Sequence, residues 1–238
     1  MPIEWICFAH RGASGYEPEN TILSFTKALE LGARWIECDA RVAENTAIIF
    51  HDRTLNRMTA SRGIVSKQTL AHIRSLNLPK GEKIPTLAET LHTLKGKAAL
   101  QIELKGQRAG AVVAQELIAA LQQGWDTQSF LVSSFDHEEL AAFKNLVPSI
   151  PLGLLTYGYP LDCIGIAKRL GVYSVHLHVD SVTDQRVADL RSAGLKVFVY
   201  TVNESDDLAW LRSLGVDGVF SDYPDRVLNH VSSAGDTP

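Results

Sequence analysis

The chain has 238 residues, 45% hydrophobic and 21% charged, the make-up of an ordinary globular protein and enough for one large α/β barrel. Its 23 basic and 27 acidic residues give a formal net charge of −4 with no strongly basic run, which argues against a nucleic-acid partner and leaves an anionic substrate dependent on a local positive cluster or a metal. Three cysteines without C-x-x-C spacing, and no apolar run near the roughly 20 residues of a membrane span, point to no disulfide framework, no stable membrane insertion and the reducing cytoplasm.

In chain order, the first apolar run (4–10) stops abruptly at His10 and Arg11. Gly12, Gly15 and Pro18 then break regular structure before an amphipathic segment at 21–32. A strand at 34–41 follows. AIIFHD (47–52) also reads as a strand, but too few residues separate the two for a parallel crossover, which needs a dozen or more. Residues 47–51 are therefore expected to fold back on 37–42 as an antiparallel hairpin turning at 43–46, returning His51 to the neighbourhood of Glu37. Residues 53–85 are an excursion with one helical stretch, 66–76, and IPTLAETL (84–91) restarts the pattern. Strands at 98–105, 129–135, 151–156, 172–178, 195–202 and 216–221 then alternate with helical segments at 109–124, 162–171, 183–194 and 204–215. Several of these helices begin with Ser, Thr or Asp and end in Gly, as caps should. Strands alternating with helices imply a parallel sheet, and eight such units imply a (β/α)8 topology, the TIM barrel. The expectation is one domain over 1–238 with a small insertion, about 52–85, after a β-hairpin following the second strand; the tail, 232–238, is expected to fray.

In WIECDAR (35–41), strand alternation puts Ile36, Cys38 and Ala40 on one side and Glu37 and Asp39 on the other. Two carboxylates on one buried face repel and are costly to desolvate; a cation between them removes both penalties. In AALQIELK (98–105), Leu100, Ile102 and Leu104 face the helices while Gln101, Glu103 and Lys105 point inward. These strands are neighbours in a barrel, and active sites lie at their C-terminal end. Three converging carboxylates make an all-oxygen site suited to Mg²⁺ or Ca²⁺. Taken singly, each signal has a plainer reading. An E-x-D pair more often finds Arg or Lys partners, which Arg11 and Lys105 could be. A lone His10 reads as a satisfied core histidine, and His51-Asp52 as a turn with Asp52 capping the segment after it. These readings lose ground because all the residues fall at one end of one barrel.

The series AHRGASGYEPENT, IECDARV, IIFHDRTLNRMT, IPTLAETL, IELK, VSSF, YTVN and GVDGVFSDYP resembles the pattern of the glycerophosphodiester phosphodiesterase family, in order and spacing, from residue 8 to about 225. The resemblance implies divalent-metal-dependent hydrolysis of a small-molecule glycerophosphodiester to glycerol 3-phosphate and an alcohol. It implies His10 and His51 as the acid/base pair, Glu37, Asp39 and Glu103 as metal ligands, and Arg11 and Lys105 as phosphate contacts. Tyr200, where the family often has Trp, would stack on or hydrogen-bond the substrate. The hairpin turn lacks the family's frequent Asp-Gly. Glu19 and Asn20 divide evenly between helix capping and a hydrogen bond to Arg11. Phe135 reads as core packing more readily than as pocket lining. His176 and His178 share a strand face, as metal ligands do, but the oxygen-rich set already supplies a site. A lysophospholipid phosphodiesterase on the same scaffold would need an apolar entrance; Leu55, Met58, Ile64, Leu70, Ile73 and Leu76 in the insertion are spaced for packing on the barrel instead. A non-catalytic phosphate-ester binder and an unrelated barrel enzyme are the remaining alternatives.

Overall fold

The computed structural model describes the backbone of residues 5–235 and the side chains of 5–231. Nine strands run as β1 (Ile6–Ala9), β2 (Trp35–Ala43), β3 (Thr46–Ile49), β4 (Ala99–Leu104), β5 (Phe130–Ser134), β6 (Leu152–Thr156), β7 (Ser174–His178), β8 (Lys196–Tyr200) and β9 (Gly218–Ser221). Their order is β1-β9-β8-β7-β6-β5-β4-β2-β3, and β1 also pairs with β2, so the sheet closes. β3 alone is antiparallel, paired with β2; the other eight are parallel and form the expected TIM barrel. Helices α1 (Ile22–Glu30), α3 (Leu87–Leu94), α4 (Ala109–Gln122), α5 (His137–Leu146), α6 (Cys163–Leu170), α7 (Asp184–Ser192), α8 (Ser205–Ser213) and α9 (Pro224–Gly235) surround it, and α2 (Leu70–Ser75) lies in the insertion.

Period-2 alternation builds the two layers. Cys7, Ala9, Ile36, Cys38, Ala40, Leu100, Ile102 and Leu104 point outward and join the apolar faces of the helices in one buried core. The inward set fills the barrel itself. Phe8, Leu131, Phe198 and Phe220 cluster there, with Phe8 stacked on Phe220 at 4.5 Å and edge-on to Phe198 at 4.9 Å. Truncating a ring packed this way costs about 3–5 kcal/mol. Polar side chains also enter the barrel, such as Gln101 and the Ser174–His176 pair, and the charged ones lie toward the C-terminal ends of the strands.

Local signals set the helix starts. Thr21 and Thr86 each form a capping box, with Ser24 and Glu89 respectively, and Asp136 accepts from Glu138 and Glu139 at the start of α5. The hairpin also forms as expected: Ala43 faces Thr46 across a two-residue turn, Glu44-Asn45, in which Glu44 takes φ 54°. The insertion differs from expectation. Instead of one helix over 66–76, a 3-10 turn (Val65–Lys67) precedes α2, because Gln68 and Thr69 are extended and the Thr69 hydroxyl caps His72 N–H. Helices α5 and α9 follow strands in the eight-unit pattern but were not among the segments named from sequence. α9 continues to Gly235, into the segment expected to fray, and residues 236–238 lie outside the described residues. No helix among the described residues is long and apolar enough to cross a membrane.

Candidate active site

The β2–β4 register places Asp39 opposite Glu103 and Glu37 opposite Gln101. Glu37, Asp39 and Glu103 each offer a carboxylate oxygen, and these oxygens all lie within 4.8 Å of one another. Glu37 and Asp39 are 2% and 1% exposed, so water does little to relieve their repulsion. Burial and the neighbouring Asp39 push Glu37 well above the usual carboxylate range, and the same two causes push Glu103 up to about 7. Burial alone would also raise Asp39, but Lys105 and Arg11 outweigh it and hold Asp39 below its ordinary value. Lys105 Nζ lies 2.6 Å from Glu103 Oε1 and 3.3 Å from Asp39 Oδ1; Arg11 Nε is 3.3 Å from Asp39 Oδ2. Both cations stay tied to the carboxylates, and negative charge on hard oxygens remains in excess. That donor set fits Mg²⁺ or Ca²⁺.

The turn after β1 is built to aim backbone groups at this cluster. Arg11 and Asn20 both take positive φ, 55° and 58°. The Arg11 N–H thereby donates to Glu37 Oε2 at 2.6 Å, and Asn20 donates to Asp39 Oδ2 at 2.8 Å. Strained backbone of this kind costs about 1–3 kcal/mol and persists where surroundings over-determine it. Gly12 is required between them: at φ +81°, a Cβ there would meet Ser24 backbone and side-chain atoms at 2.5–2.8 Å. Asn20 therefore binds Asp39, and Glu19 binds Arg11 Nη1 at 2.9 Å; Thr21 is the helix cap, which settles their even division against capping.

Each histidine has its own carboxylate. His10 Nδ1 lies 2.7 Å from Asp222 Oδ1, and Asp222 is itself held by Ser14 Oγ at 2.8 Å and Asn203 Nδ2 at 2.8 Å. Burial would raise Asp222, but His10, Asn203 and Ser14 together outweigh this and keep it ionised. On the other side, Phe50 N–H donates to the Asp39 carbonyl at 2.8 Å, so His51 returns beside Asp39, within the same cleft as Glu37. His51 Nδ1 meets Asp52 Oδ1 at 2.8 Å. Arg57 grips Asp52 and Glu19 together, at 2.7 Å to each, and holds Asp52 down to about 2. Burial keeps His51 below its ordinary value, in the form able to accept a proton. In both pairs the carboxylate engages Nδ1 rather than Nε2.

His10, Arg11, Glu37, His51, Glu103, Lys105 and Tyr200 line one cleft of about 200 Å³ at the C-terminal rim of the barrel. Its far wall is aromatic. Phe135 stacks on Tyr157 at 4.2 Å and meets Tyr200 edge-on at 5.9 Å, so Phe135 lines the cleft rather than packing the core. The Tyr200 hydroxyl donates to the Thr156 carbonyl at 2.9 Å, which leaves the ring face as its contact surface. His176 and His178 line the cleft too, but the acidic trio is the only metal-capable group found among the described residues. His176 Nε2 pairs with Ser174 Oγ at 2.9 Å, and His178 Nδ1 accepts from Asp180 N at 3.3 Å. In the insertion, Leu55, Met58, Leu70, Ile73 and Leu76 pack into a separate core, so they offer no apolar entrance. Asp222, Asn203 and Arg57 were not assigned roles from sequence, and Asp52 was read as a cap where it binds His51 and Arg57 instead; the SDYP, YTVN and IIFHDRTLNRMT strings that contain them were the available signal.

Comparison with known proteins identifies the family. The glycerophosphoryl diester phosphodiesterase family model matches residues 10–226. A glycerophosphodiester phosphodiesterase from Caldanaerobacter subterraneus subsp. tengcongensis is 32% identical over 97% of this chain and 99% of its own. A phosphodiesterase from Oleispira antarctica, solved with the product sn-glycerol-3-phosphate, is 31% identical with a TM-score of 0.89, covering 95% of this chain and 96% of that one. A glycerophosphodiester phosphodiesterase structure from Thermotoga maritima gives 26% identity and a TM-score of 0.77 over 95% of this chain and 98% of its own. The chain is an enzyme of the glycerophosphoryl diester phosphodiesterase family.

Proposed function

We propose that this enzyme hydrolyses glycerophosphodiesters to sn-glycerol 3-phosphate and an alcohol, using His10 and His51 as the acid/base pair and a divalent cation, Mg²⁺ or Ca²⁺, held by Glu37, Asp39 and Glu103. The observation that carries the reading is the meeting of two carboxylate-oriented histidines with that acidic trio in one cleft. The product named for the Oleispira antarctica structure agrees with it. The three buried cysteines are free, which suits the cytoplasm.

A diester phosphate carries one negative charge that repels a nucleophile. Arg11 and Lys105 would bind its non-bridging oxygens, Arg11 through its planar fork and Lys105 as a point charge. A bound divalent cation would supply further neutralisation of those oxygens as charge builds. One histidine removes a proton from the nucleophile, either water or the glycerol 2-hydroxyl. The other gives a proton to the alcohol oxygen as its bond to phosphorus breaks. Water enters overall, with its oxygen on phosphorus and a hydrogen on the alcohol; in the 2-hydroxyl route it opens the cyclic phosphate in a second step. Each such proton transfer is worth about 10²–10⁴-fold. The aromatic wall of Phe135, Tyr157 and Tyr200 would pack against one arm of the ester.

The test is release of glycerol 3-phosphate from glycerophosphocholine, glycerophosphoethanolamine and glycerophosphoglycerol, with chelator and with each ion restored. Release that needs the ion, and that His10→Ala and His51→Ala each abolish in folded protein, is expected. Near-normal turnover in both variants would end the assignment.

A further inference from the structure

A second cleft, about 590 Å³, opens beside the first, and Lys105 lines both. Its walls come from the end of β2, the insertion and the β4–α4 loop. They carry Arg41, Arg53, Lys67, Lys105 and Arg108 against a single carboxylate, Glu44. Glu44 is engaged elsewhere, accepting from Leu70 N at 3.0 Å. Arg41 Nε donates to the His51 carbonyl at 2.8 Å, and Arg108 donates to Asn45 Oδ1 at 2.7 Å; neither has a carboxylate side-chain partner among the described residues. Arg53 and Lys67, both exposed, have no ion-pair partner there either. Four cations thus face one concavity without a carboxylate in ion-pair contact, with Asp39, Asp52 and Glu103 acting on Arg41 only from a distance, in a chain whose formal net charge is −4. Such crowding is unfavourable on its own and is relieved by an anion.

We propose that this cleft is a second anion subsite, and that the preferred substrates are glycerophosphodiesters whose alcohol arm carries a further phosphate. The inference rests on the hydrolase reading above and names its substrate class. Lys105 joins the two clefts, and the Arg41–His51 bond puts the subsite on the His51 edge. An ester arm leaving on that edge runs into the cations, whereas the opposite edge offers Phe135, Tyr157 and Tyr200. Arginines suit the task, since their forks bind phosphate oxygens in pairs.

The test compares glycerophosphoglycerol with its derivative phosphorylated at the far glycerol, in the wild type and in the double variant Arg53→Ala/Lys67→Ala. The wild type should favour the phosphorylated substrate by about tenfold or more in kcat/KM, chiefly through KM, as expected for contacts to charged groups. Added salt should shrink that preference. The double variant should lose most of it and turn over glycerophosphoglycerol as the wild type does. Equal kcat/KM for the two substrates in the wild type, or an equal loss on both in the variant, overturns the proposal. So does activation of glycerophosphoglycerol turnover by inorganic phosphate in the wild type alone, which would make the cleft an effector site. Failure of the wild type to release glycerol 3-phosphate from either substrate, with Mg²⁺ or Ca²⁺, would instead defeat the hydrolase reading.

Discussion

Asp222 Oδ1 sits 2.7 Å from His10 Nδ1, across 212 residues of chain, and accepts from Ser14 Oγ as well, while Oδ2 accepts from Asn203 Nδ2. With three donors fixed on it, the carboxylate cannot rotate away. In the acid/base role proposed for His10, it would select the tautomer with the proton on Nδ1 and steady the ring as Nε2 takes a proton. An amide in its place keeps the shape but removes the charge. Asp222→Asn should lower kcat by about 10²–10⁴-fold with KM changed little, and circular dichroism should be unaltered. A variant with near-wild-type kcat would show that Asp222 serves only the fold.

Arg57 is a positioning residue of a milder kind. It is 47% exposed yet binds Asp52 and Glu19 at 2.7 Å each, and so links the carboxylate behind His51 to the one behind Arg11. Exposed ion pairs contribute little to stability, on the order of 0–1 kcal/mol. Arg57→Ala should therefore leave the urea midpoint nearly unmoved while lowering kcat roughly tenfold, as loss of an outer partner does elsewhere. Arg57→Lys should rescue only part, because a point charge cannot grip two carboxylates as a fork does. Equal kinetics for the Ala and Lys variants would count against this role.

The extent to which these features were legible in the sequence depends on their range. Strand alternation is a two-residue rule, so Glu37, Asp39 and Glu103 could be aimed inward from their own strings, and the barrel brought them within 4.8 Å. The hairpin was legible because chain length forbade a parallel crossover. Asp222 was not, since nothing local marks a carboxylate whose partner lies at the other end of the chain. Arg57 likewise meets Glu19 only because the insertion folds back over the first turn. In 66–76 the apolar spacing suggested one helix, but Thr69 prefers to cap rather than continue, and its extended backbone splits the segment. Phe135 read as core packing more readily than as pocket lining, because an aromatic side chain serves both; the adjoining Tyr157, 81% exposed, shows that this end is open.

His176 offers a pH test of stability away from the acidic trio. It is fully buried among Phe198, Phe220 and Ser174, and burial pushes its imidazole down to about 3. The unfolded chain has an ordinary histidine near 6.5. Between those values the unfolded state binds a proton that the folded state does not, so this contribution is full above about 6.5 and lost as pH falls. From pH 6.5 to 5 the loss is about 2 kcal/mol. Glu37 and Glu103, raised by burial, act in the opposite sense over the same range, so the useful quantity is a difference between proteins. Urea unfolding at pH 7 and pH 5 should show the wild type losing about 2 kcal/mol more than His176→Leu. Parallel pH dependences in the two would refute the neutral buried imidazole.

The acidic trio predicts opposite effects of one substitution on stability and on cation binding. Three carboxylates lie within 4.8 Å, two of them almost without solvent, and Lys105, at 2.6 Å from Glu103 and 3.3 Å from Asp39, offsets their repulsion only in part, since Glu103 remains pushed up to about 7. Glu103→Gln removes one charge at nearly constant shape, so in chelator its Tm should rise above that of the wild type by a few degrees, at about 2–4 °C for each kcal/mol in a chain of this size. The same change deletes a ligand. For the wild type, Mg²⁺ or Ca²⁺ at a hundredfold excess over its Kd adds about 2.7 kcal/mol, or about 5–10 °C. Glu103→Gln should show little of that increase and little turnover. Thermal melts with chelator and with each ion, run on both proteins, read the two effects separately. A wild-type Tm that neither ion moves, or an undiminished ion response in Glu103→Gln, would remove these three side chains as a shared cation site.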